Sequence, residues 1–462
     1  MSLQHDALET NTGAAVATSS VVNPTNTLAP APALAPVLPA GARVVRSRWQ
    51  ARLLSFLMVF GPGLIVMVAD NDAGAVSTYT QAGAHYGTQL LWVLALLLPI
   101  TYFVQEMVVR LGIATGRGYA AVIYQRFGKG WGRFTLGELE IVNFLTLVTE
   151  FAAINMAFST VGVPGIISVP IAAVGLVVVV VTGSYLRWER MAVLLCLLNL
   201  GWIAIAIMAR TSAGALFSGL LVPQVPIGGI TGSLVFLVMA IVGTTIAPWQ
   251  LFFQQSCVAD KRLRFRDLNR ERLDTGLGAI FTIVNAGAMM LIGNVLFTHG
   301  IPYTDPAQMA VALGPIMGNF VTYGVLLLMV NAAVLGAMAI TLASAWAFGE
   351  VMGWPHSLQK PIREAPGFYA VYVGAVVAAA AVVLIPNAPL QLIILGVQVL
   401  AGLMLPSAII LLQLLLNDRE LLGRLANKSW NNWLNWTIIA VLVVLSGILA
   451  VQVLLPAFFP AG

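Results

Sequence analysis

Charged side chains are scarce in this sequence: Asp, Glu, Lys and Arg together make up 9% of its 462 residues, whereas 59% are hydrophobic. A soluble domain carries about 25% charged residues, so this scarcity excludes an ordinary water-soluble protein. Apolar runs of about 20 residues recur along the chain, and each is long enough to cross ~30 Å of hydrocarbon as a helix. We therefore expect an all-α integral membrane protein.

Cysteine and histidine are also rare, with two and four residues respectively. Cys196 and Cys257 lie in or at the end of apolar runs, which favours buried free thiols over a disulfide framework. The sequence has no Cys-x-x-Cys, no Gly-rich phosphate loop and no His-Glu-x-x-His, so it offers little material for catalysis. These absences disfavour an enzyme, and we expect no bound cofactor.

Residues 1–45 are rich in Ala, Pro, Thr, Ser and Val and show no helical period. This composition predicts a disordered cytoplasmic tail. Because the tail lacks a basic segment followed directly by an apolar run, we expect no cleaved signal peptide, and the first spanning helix is expected to act as the signal. Residues 46–462 are expected to form a single transmembrane domain.

Eleven apolar segments are predicted to span the membrane. They are 54–83, 88–112, 137–162, 165–185, 191–210, 232–257, 275–298, 318–347, 368–386, 389–416 and 433–456. Of the 23 Lys and Arg residues, 22 fall in the N-terminal tail or in alternate loops, and Arg210 is the exception. This pattern predicts a cytoplasmic N-terminus and an external C-terminus, and it explains the net charge of +5 without nucleic-acid binding.

The first segment carries two carboxylates at its centre, Asp70 and Asp72, beside Asn71 and Gly74. An ionised carboxylate there costs about 2.5–3.5 kcal/mol, so it should face a cavity, a partner or a cation. Local unwinding would free backbone carbonyls, and carboxylate plus carbonyl oxygens favour a hard cation. A simple packed kink is the alternative, but a kink needs no carboxylates.

The sixth segment has a matching interruption at residues 243–250, where Pro248 removes an amide hydrogen. A simple kink explains this break alone equally well. The two breaks are five helices apart, however, and an odd offset reverses the second set of helices, as in inverted-repeat transporters. The predicted repeats are 54–210 and 232–416, followed by a peripheral helix at 433–456.

Several short motifs carry a family resemblance. They are Gly61-Pro62-Gly63, the helix-1 aspartate, Gln81-Ala82-Gly83-Ala84, Leu111-Gly112-Ile113-Ala114-Thr115-Gly116 and Pro248. Over roughly residues 54–425 the chain resembles the NRAMP divalent-metal transporters. The resemblance implies the LeuT fold, a 5+5 inverted repeat with broken helices 1 and 6. It also implies a multi-pass protein of a bacterial inner membrane, surrounded by the lipid bilayer, with a divalent metal as substrate and no obligate protein partner.

Two departures from the NRAMP motifs change the expected cargo. The family's Asp-Pro-Gly-Asn falls on Asp72-Ala73-Gly74-Ala75, and its Met-Pro-His falls on Ala247-Pro248-Trp249. Loss of the methionine sulfur removes a preference for Mn²⁺ and Fe²⁺, and the smaller Ala247 leaves room for a hydrated ion. This pattern resembles the NRAMP-related magnesium transporter branch, which implies Mg²⁺ and Mn²⁺ carried largely hydrated.

The resemblance also implies the ligands of the ion. They are the carbonyls of Ala69 and Thr244, the side chain of Asp72, and Gln398 in helix 10, with Ala247 beside them. For Gln398 an interhelical hydrogen bond is the alternative. From the sequence itself we add four groups able to bind the water shell: Asp70, Asn71, Thr245 and Gln250.

A proton route along helix 3 is a further implication of the resemblance. Glu140 and Glu150 match two of its acidic positions, but Leu147 and Trp249 replace the family's aspartate and histidine. We therefore expect uptake that is uncoupled or weakly coupled to protons and driven by the membrane potential. Glu150 and Glu106 are competing proton-site candidates, with a role as buried charge or hydrogen-bond partners as the alternative.

Three other functions stay open. A proton-coupled Mn²⁺ or Fe²⁺ importer of the same fold is disfavoured by Ala247. A Na⁺-coupled amino-acid transporter would bind a substrate carboxylate between its half-helices, which the adjacent Asp70 and Asp72 disfavour. The third is a channel or a metal sensor, and saturable counterflow of metal would separate a carrier from both.

Overall fold

The computed structural model describes residues 61–181, 184–226, 229–386 and 388–454. Helices and their connections make up all of this part of the chain, which contains no β-strand. The expected tail at 1–45 and the beginning of the first predicted segment, 54–60, lie outside the described residues, as do 455 and 456 of the last one.

Seventeen α-helices follow one another in the described residues. They are α1 (Pro62–Ala69), α2 (Ala73–Tyr86), α3 (Leu91–Thr115), α4 (Tyr119–Thr160), α5 (Gly165–Val181), α6 (Tyr185–Leu198), α7 (Gly201–Met208), α8 (Ala213–Leu221), α9 (Gly232–Thr245), α10 (Pro248–Asp260), α11 (Leu268–His299), α12 (Pro306–Met317), α13 (Asn319–Met352), α14 (Pro366–Val383), α15 (Leu390–Leu416), α16 (Arg419–Leu422) and α17 (Ser429–Leu454).

The predicted count of about eleven membrane helices corresponds to this arrangement. Nine helical stretches of the described residues are at least 18 residues long and apolar enough to span a bilayer, with α6–α7 and α9–α10 each forming one stretch. The broken helix α1–α2 and the shorter apolar helix α5 supply the other two segments. The all-α membrane fold is thus confirmed.

Some helix boundaries differ from the hydropathy-based prediction. The third segment was expected to begin at residue 137, but α4 begins at Tyr119 and is bent at Gly128, whose φ of 89° suits glycine. The early part of α4 contains charged residues, which lower its hydropathy below that of a membrane segment. Arg270 and Arg272 lower the hydropathy of the first turns of α11 in the same way. The helices α8 and α12 were not predicted because each is too short to span a bilayer.

The two broken helices are deeply buried in the bundle. All eight residues of α1 are buried, as are residues 248–258 of α10. By contrast, α5 exposes large aliphatic side chains such as Ile166 and Ile171. Exposed apolar faces of this kind suit contact with lipid, so the breaks lie inside the protein where irregular backbone is tolerated.

Candidate metal site

The first break separates α1 from α2. Helix α1 ends at Ala69 and α2 begins at Ala73, so the helical hydrogen-bond ladder is interrupted over residues 70–72. Asp72 is the N-cap of α2, and its Oδ1 accepts a hydrogen bond of 2.9 Å from the Ala75 amide. Aspartate is among the preferred N-cap residues, which explains locally why the new helix starts here.

The second break separates α9 from α10. Helix α9 ends at Thr245, and Ile246 (φ −137°, ψ 79°) and Ala247 (φ −84°, ψ 145°) leave the helical conformation. Pro248 then opens α10 at a position where a missing amide hydrogen costs nothing. The last carbonyls of α9, including that of Thr244, therefore have no hydrogen-bond partner within the helix.

The two breaks are in contact. The hydroxyls of Tyr79 in α2 and Thr245 in α9 are hydrogen bonded at 2.7 Å. Gln398 of α15 joins them further: its side chain abuts Gly74 and its backbone carbonyl abuts Gly243, so neither glycine has room for a side chain. The Gln398 Nε2 has no hydrogen-bond partner among the described residues. The structure thus places Gln398 against Gly74 and Gly243, and its role as a ligand of the ion stays a prediction.

Asp70 is the most isolated of the predicted site residues. Its carboxylate is 1% exposed, and neither oxygen has a hydrogen-bond partner in the described ranges. Gln250 lies beside it. Since a buried, unpaired carboxylate is costly, Asp70 calls for a cation or a proton in this position.

Glu150 of α4 also reaches the first break. Its Oε2 accepts a hydrogen bond of 3.1 Å from the Ala73 amide, at the first turn of α2. A Cβ on Gly336 would lie 2.7 Å from the Asp72 Cβ and 3.1 Å from the Glu150 carboxyl carbon, so Asp72 and Glu150 share one space. The second oxygen of Glu150 has no partner within the part of the chain described. Two carboxylates so close together attract a cation or a proton.

The side-chain hydroxyl and amide groups around the breaks differ in whether they already have hydrogen-bond partners. The Thr244 hydroxyl is buried and has no partner in the described residues, whereas that of Thr245 donates to the Ile241 carbonyl at 2.5 Å as well as contacting Tyr79. Asn71 donates its Nδ2 to the Thr282 carbonyl at 3.3 Å. Thr244 therefore has a free side-chain oxygen, while Thr245 is occupied.

Gln250 presents an amide nitrogen rather than an oxygen. Its Oε1 accepts a hydrogen bond of 2.8 Å from the Gln105 Nε2, and its Nε2 is unpartnered among the described residues. A nitrogen donor suits a carboxylate such as Asp70, or a water molecule, but not a metal ion. Gln250 was one of the groups that we expected around the water shell of the ion. It offers that shell a hydrogen-bond donor and no free oxygen.

Comparison with known proteins identifies the family. Residues 63–452 match the Natural resistance-associated macrophage protein-like family. The chain belongs to the NRAMP family. Its relatives include the divalent metal cation transporter MntH of Klebsiella pneumoniae, which is 25% identical over 424 residues, covering 90% of this chain and 98% of that protein. The relatives are transporters rather than enzymes, and the metal is their substrate rather than a cofactor. The predictions of family, of a non-enzyme and of no cofactor are confirmed.

Solved structures show the same fold. The Eremococcus coleocola manganese transporter, in complex with an aromatic bis-isothiourea substituted compound, superposes with a TM-score of 0.74 at 18% identity, covering 89% of this NRAMP chain and 88% of that one. MhsT in complex with L-phenylalanine gives a TM-score of 0.59 at 15% identity, covering 85% and 98%. The LeuT-type architecture implied by the sequence resemblance is therefore confirmed.

Two of the acidic candidates lie away from the breaks of this NRAMP protein. Glu106 of α3 is bound by two guanidinium groups, with its Oε1 2.6 Å from the Arg272 Nη2 and its Oε2 3.2 Å from the Arg110 Nη2. This is the charge-partner arrangement that the sequence left as an alternative. Glu140 is ten residues before Glu150 in α4, about 15 Å along the helix axis.

The half-helices that follow the breaks are packed against neighbouring helices. On one side Gln391 donates to the Ser77 hydroxyl at 2.7 Å, which joins α15 to α2. On the other, the buried Trp249 packs against Phe253, and Phe253 packs against Trp346, with ring centroids 6.1 and 5.6 Å apart.

No group of three or more His, Cys, Asp and Glu side chains with metal-binding geometry occurs in the described residues. The ligands available to a metal ion are therefore a few carboxylates, together with backbone carbonyls, hydroxyls and water.

Proposed function

We propose that this NRAMP protein imports divalent metal cations by alternating access, with partly hydrated Mg²⁺ as the preferred cargo and Mn²⁺ as a second one. The observation that supports this cargo is the donor set at the breaks, which consists of oxygen atoms alone. Asp70, Asp72 and the free Thr244 hydroxyl supply them, while Ala247 stands where other family members carry a sulfur. Mg²⁺ prefers oxygen ligands and gives up its waters reluctantly.

The second break carries a small side chain. Ala247, the residue before α10, is buried and has only a methyl group, and Gln398 packs directly against Gly74 and Gly243. The unpartnered Gln398 amide and Gln250 amide can each bind a water oxygen as donors. A small wall residue together with uncommitted polar groups favours a hydrated ion over a stripped one.

Charge balance supports weak proton coupling. The adjacent Asp72 and Glu150 carboxylates, when ionised, match the charge of one divalent ion, so the ion needs no co-transported proton to balance its charge. Leu147 is buried on α4 between Glu150 and Glu140, which interrupts a titratable route along that helix. The inside-negative membrane potential lowers the free energy of an entering cation by about 2.3 kcal/mol per charge per 100 mV, which suffices to drive uptake of a divalent cation.

The inferred topology gives this transport a direction. The basic loops predict a cytoplasmic N-terminus and an external C-terminus. The family resemblance implies that the membrane is a bacterial inner membrane. The repeats are inferred at 54–210 and 232–416, with the helix at 433–456 peripheral. Opposite movements of these repeats around the two breaks would open the site to each side in turn.

Proton-coupled Mn²⁺ uptake is the second candidate. The Eremococcus coleocola relative is a manganese transporter, and the Klebsiella pneumoniae relative is a divalent metal cation transporter. The Asp72–Glu150 pair would also serve as a proton acceptor when the site holds no metal.

Reconstitution of the full chain in liposomes separates these functions. We expect saturable Mg²⁺ uptake, reported by a lumenal indicator, together with metal counterflow and no change in lumenal pH beyond that of protein-free liposomes. Mn²⁺ uptake without Mg²⁺ uptake would contradict the cargo proposal. Lumenal acidification in proportion to metal uptake would contradict weak coupling, and uptake without counterflow or saturation would indicate a channel.

A further inference from the structure

A polar cavity lies at the end of the bundle that carries the basic loops, away from the two breaks. Its volume is about 540 Å³, and it is enclosed by α3, the first turns of α11 and the loop that leads into α17. Four cationic side chains line it against a single carboxylate, Glu106: they are Arg110, Arg272, Arg424 and Lys428. The cavity therefore has a strong excess of positive charge.

Glu106 leaves much of this charge uncompensated. It accepts two hydrogen bonds on Oε1 from Arg272, at 3.0 and 2.6 Å, and its Oε2 lies 3.2 Å from the Arg110 Nη2. One carboxylate thus faces two guanidinium groups. Arg424 and Lys428 are exposed, and neither has an ion-pair partner among the described residues.

Arg110 is the most buried cation that lines the cavity. Its residue is only 5% exposed, and its Nη1 donates to the Leu425 carbonyl at 3.1 Å. The Nε donor has no hydrogen-bond partner in the described ranges. Loop arginines that set membrane orientation remain in solvent, whereas a buried guanidinium with an unused donor calls for an additional acceptor.

Exposed aromatic side chains border the cavity. Phe265 and Trp430 line it and are 68% and 56% exposed, and Trp430 packs edge-on against Phe103 with centroids 6.0 Å apart. Exposed aromatic residues of this kind are typical of the membrane–water interface.

An apolar stripe continues from the cavity along α11. Asn269 lines the cavity, and exposed aliphatic residues follow on the same helical face at spacings of three and four: Leu273, Leu277, Ile280 and Val284. A soluble anion gains nothing from this stripe, whereas an acyl chain would cover it.

We propose that this cavity binds the phosphate headgroup of an anionic phospholipid, whose acyl chains lie along the α11 stripe. Arg424 and Lys428, the two exposed cations of the cavity, would contact the phosphate, since basic pockets between membrane helices suit anionic headgroups. The bound lipid would hold the first turns of α11 against α3 and the beginning of α17.

The test uses the delipidated full chain in a neutral detergent. Phosphatidylglycerol is added as the probe, and phosphatidylcholine, glycerol 3-phosphate and inorganic phosphate are compared with it. Native mass spectrometry measures the bound lipid, and thermal unfolding measures its stabilising effect. The double variant Arg424→Gln/Lys428→Gln removes two exposed, unpaired charges from the cavity. The matched control Lys129→Gln/Arg133→Gln removes two exposed charges from another basic segment.

We expect the wild type and the control variant to bind phosphatidylglycerol equally. The cavity variant should bind it about thirtyfold more weakly, given that each cationic side chain contributes about a factor of five near an anionic lipid. Equal loss in both variants would reduce the effect to general surface charge and overturn the proposal. Stabilisation by glycerol 3-phosphate or inorganic phosphate alone would assign the cavity to a soluble phosphate, and equal binding of phosphatidylcholine would exclude selection for anionic lipid.

Discussion

The two helix breaks of this NRAMP protein each interrupt a membrane helix, but one is charged and the other is neutral. The first, between α1 and α2, holds Asp70 and Asp72 and receives Glu150 from α4. The second, between α9 and α10, is neutral and turns through Ile246 and Ala247. From this comparison we infer that the first break selects for charge, while the second decides the size and softness of the ion that fits.

The half-helices before the breaks are also anchored differently. Asp274 of α11 accepts hydrogen bonds from the amides of Gly61, Gly63 and Leu64 at 2.9, 2.8 and 3.2 Å, which fixes the start of α1 to a neighbouring helix. Helix α9 is capped locally by the Thr231 hydroxyl. The charged break thus has the stronger tertiary anchor.

Replacement of Asp72 by Asn is expected to have the largest effect, because it removes charge where the two breaks differ most. Metal uptake into liposomes should fall by at least about 100-fold, the upper end of what loss of a supporting group costs a metal site. Asparagine is as good an N-cap as aspartate, so α2 should still form and thermal unfolding should change little.

Glu364→Gln serves as the control for Asp72→Asn, since Glu364 is an exposed carboxylate in the loop before α14. Uptake by this control should equal that of the wild type. Retention of uptake in Asp72→Asn would mean that the first break does not provide the charge selection.

Asp274→Asn tests the tertiary anchor of α1. Asp274 uses both carboxylate oxygens, and asparagine would turn an amide group toward one set of backbone N–H donors. Since hydrogen bonds to charged groups contribute about 1.5–3 kcal/mol, the free energy of unfolding should fall by about 2 kcal/mol. Thermal or denaturant-induced unfolding in detergent measures the change.

The matched control for this anchor is Asp305→Asn. Asp305 caps α12 with Oδ1 alone, which accepts from Ala307 and Gln308 at 2.9 and 2.8 Å, so asparagine can replace it. If Asp274→Asn were no more destabilising than Asp305→Asn, the second carboxylate oxygen would have no role in anchoring α1.

Ala247→Met restores a sulfur to the neutral break. We expect the ratio of Mg²⁺ to Mn²⁺ uptake to fall about tenfold, equivalent to ~1.4 kcal/mol, because a thioether favours the softer ion and displaces water. Competition between the two metals in liposomes measures this ratio. Ala247→Leu fills similar space without sulfur and should lower uptake of both ions together. A matching change of ratio in the leucine variant would assign selectivity to size instead.

The sequence was sufficient to predict the features that depend on neighbouring residues. The carboxylates at 70 and 72 and the proline at 248 each disturb a helix locally, so both breaks and the fold that contains them were predictable. The proximity of Glu150 to Asp72 was not, because it depends on how α4 packs near Gly336. Sequence spacing also carries no sign that Thr245 and the Gln250 oxygen are already occupied by Tyr79 and Gln105.

The smallest expected effect concerns the hydrogen bond that joins the two breaks, between the hydroxyls of Tyr79 and Thr245. A double-mutant cycle of Tyr79→Phe and Thr245→Val, followed by unfolding in detergent, should give a coupling energy of about 0.6 kcal/mol, the average for side-chain hydrogen bonds between membrane helices. The cycle cancels the separate bond from Thr245 to the Ile241 carbonyl, which is lost equally in both backgrounds. Zero coupling would show that the charged and neutral breaks are held together by packing around Gln398 alone, and that each can move without the other.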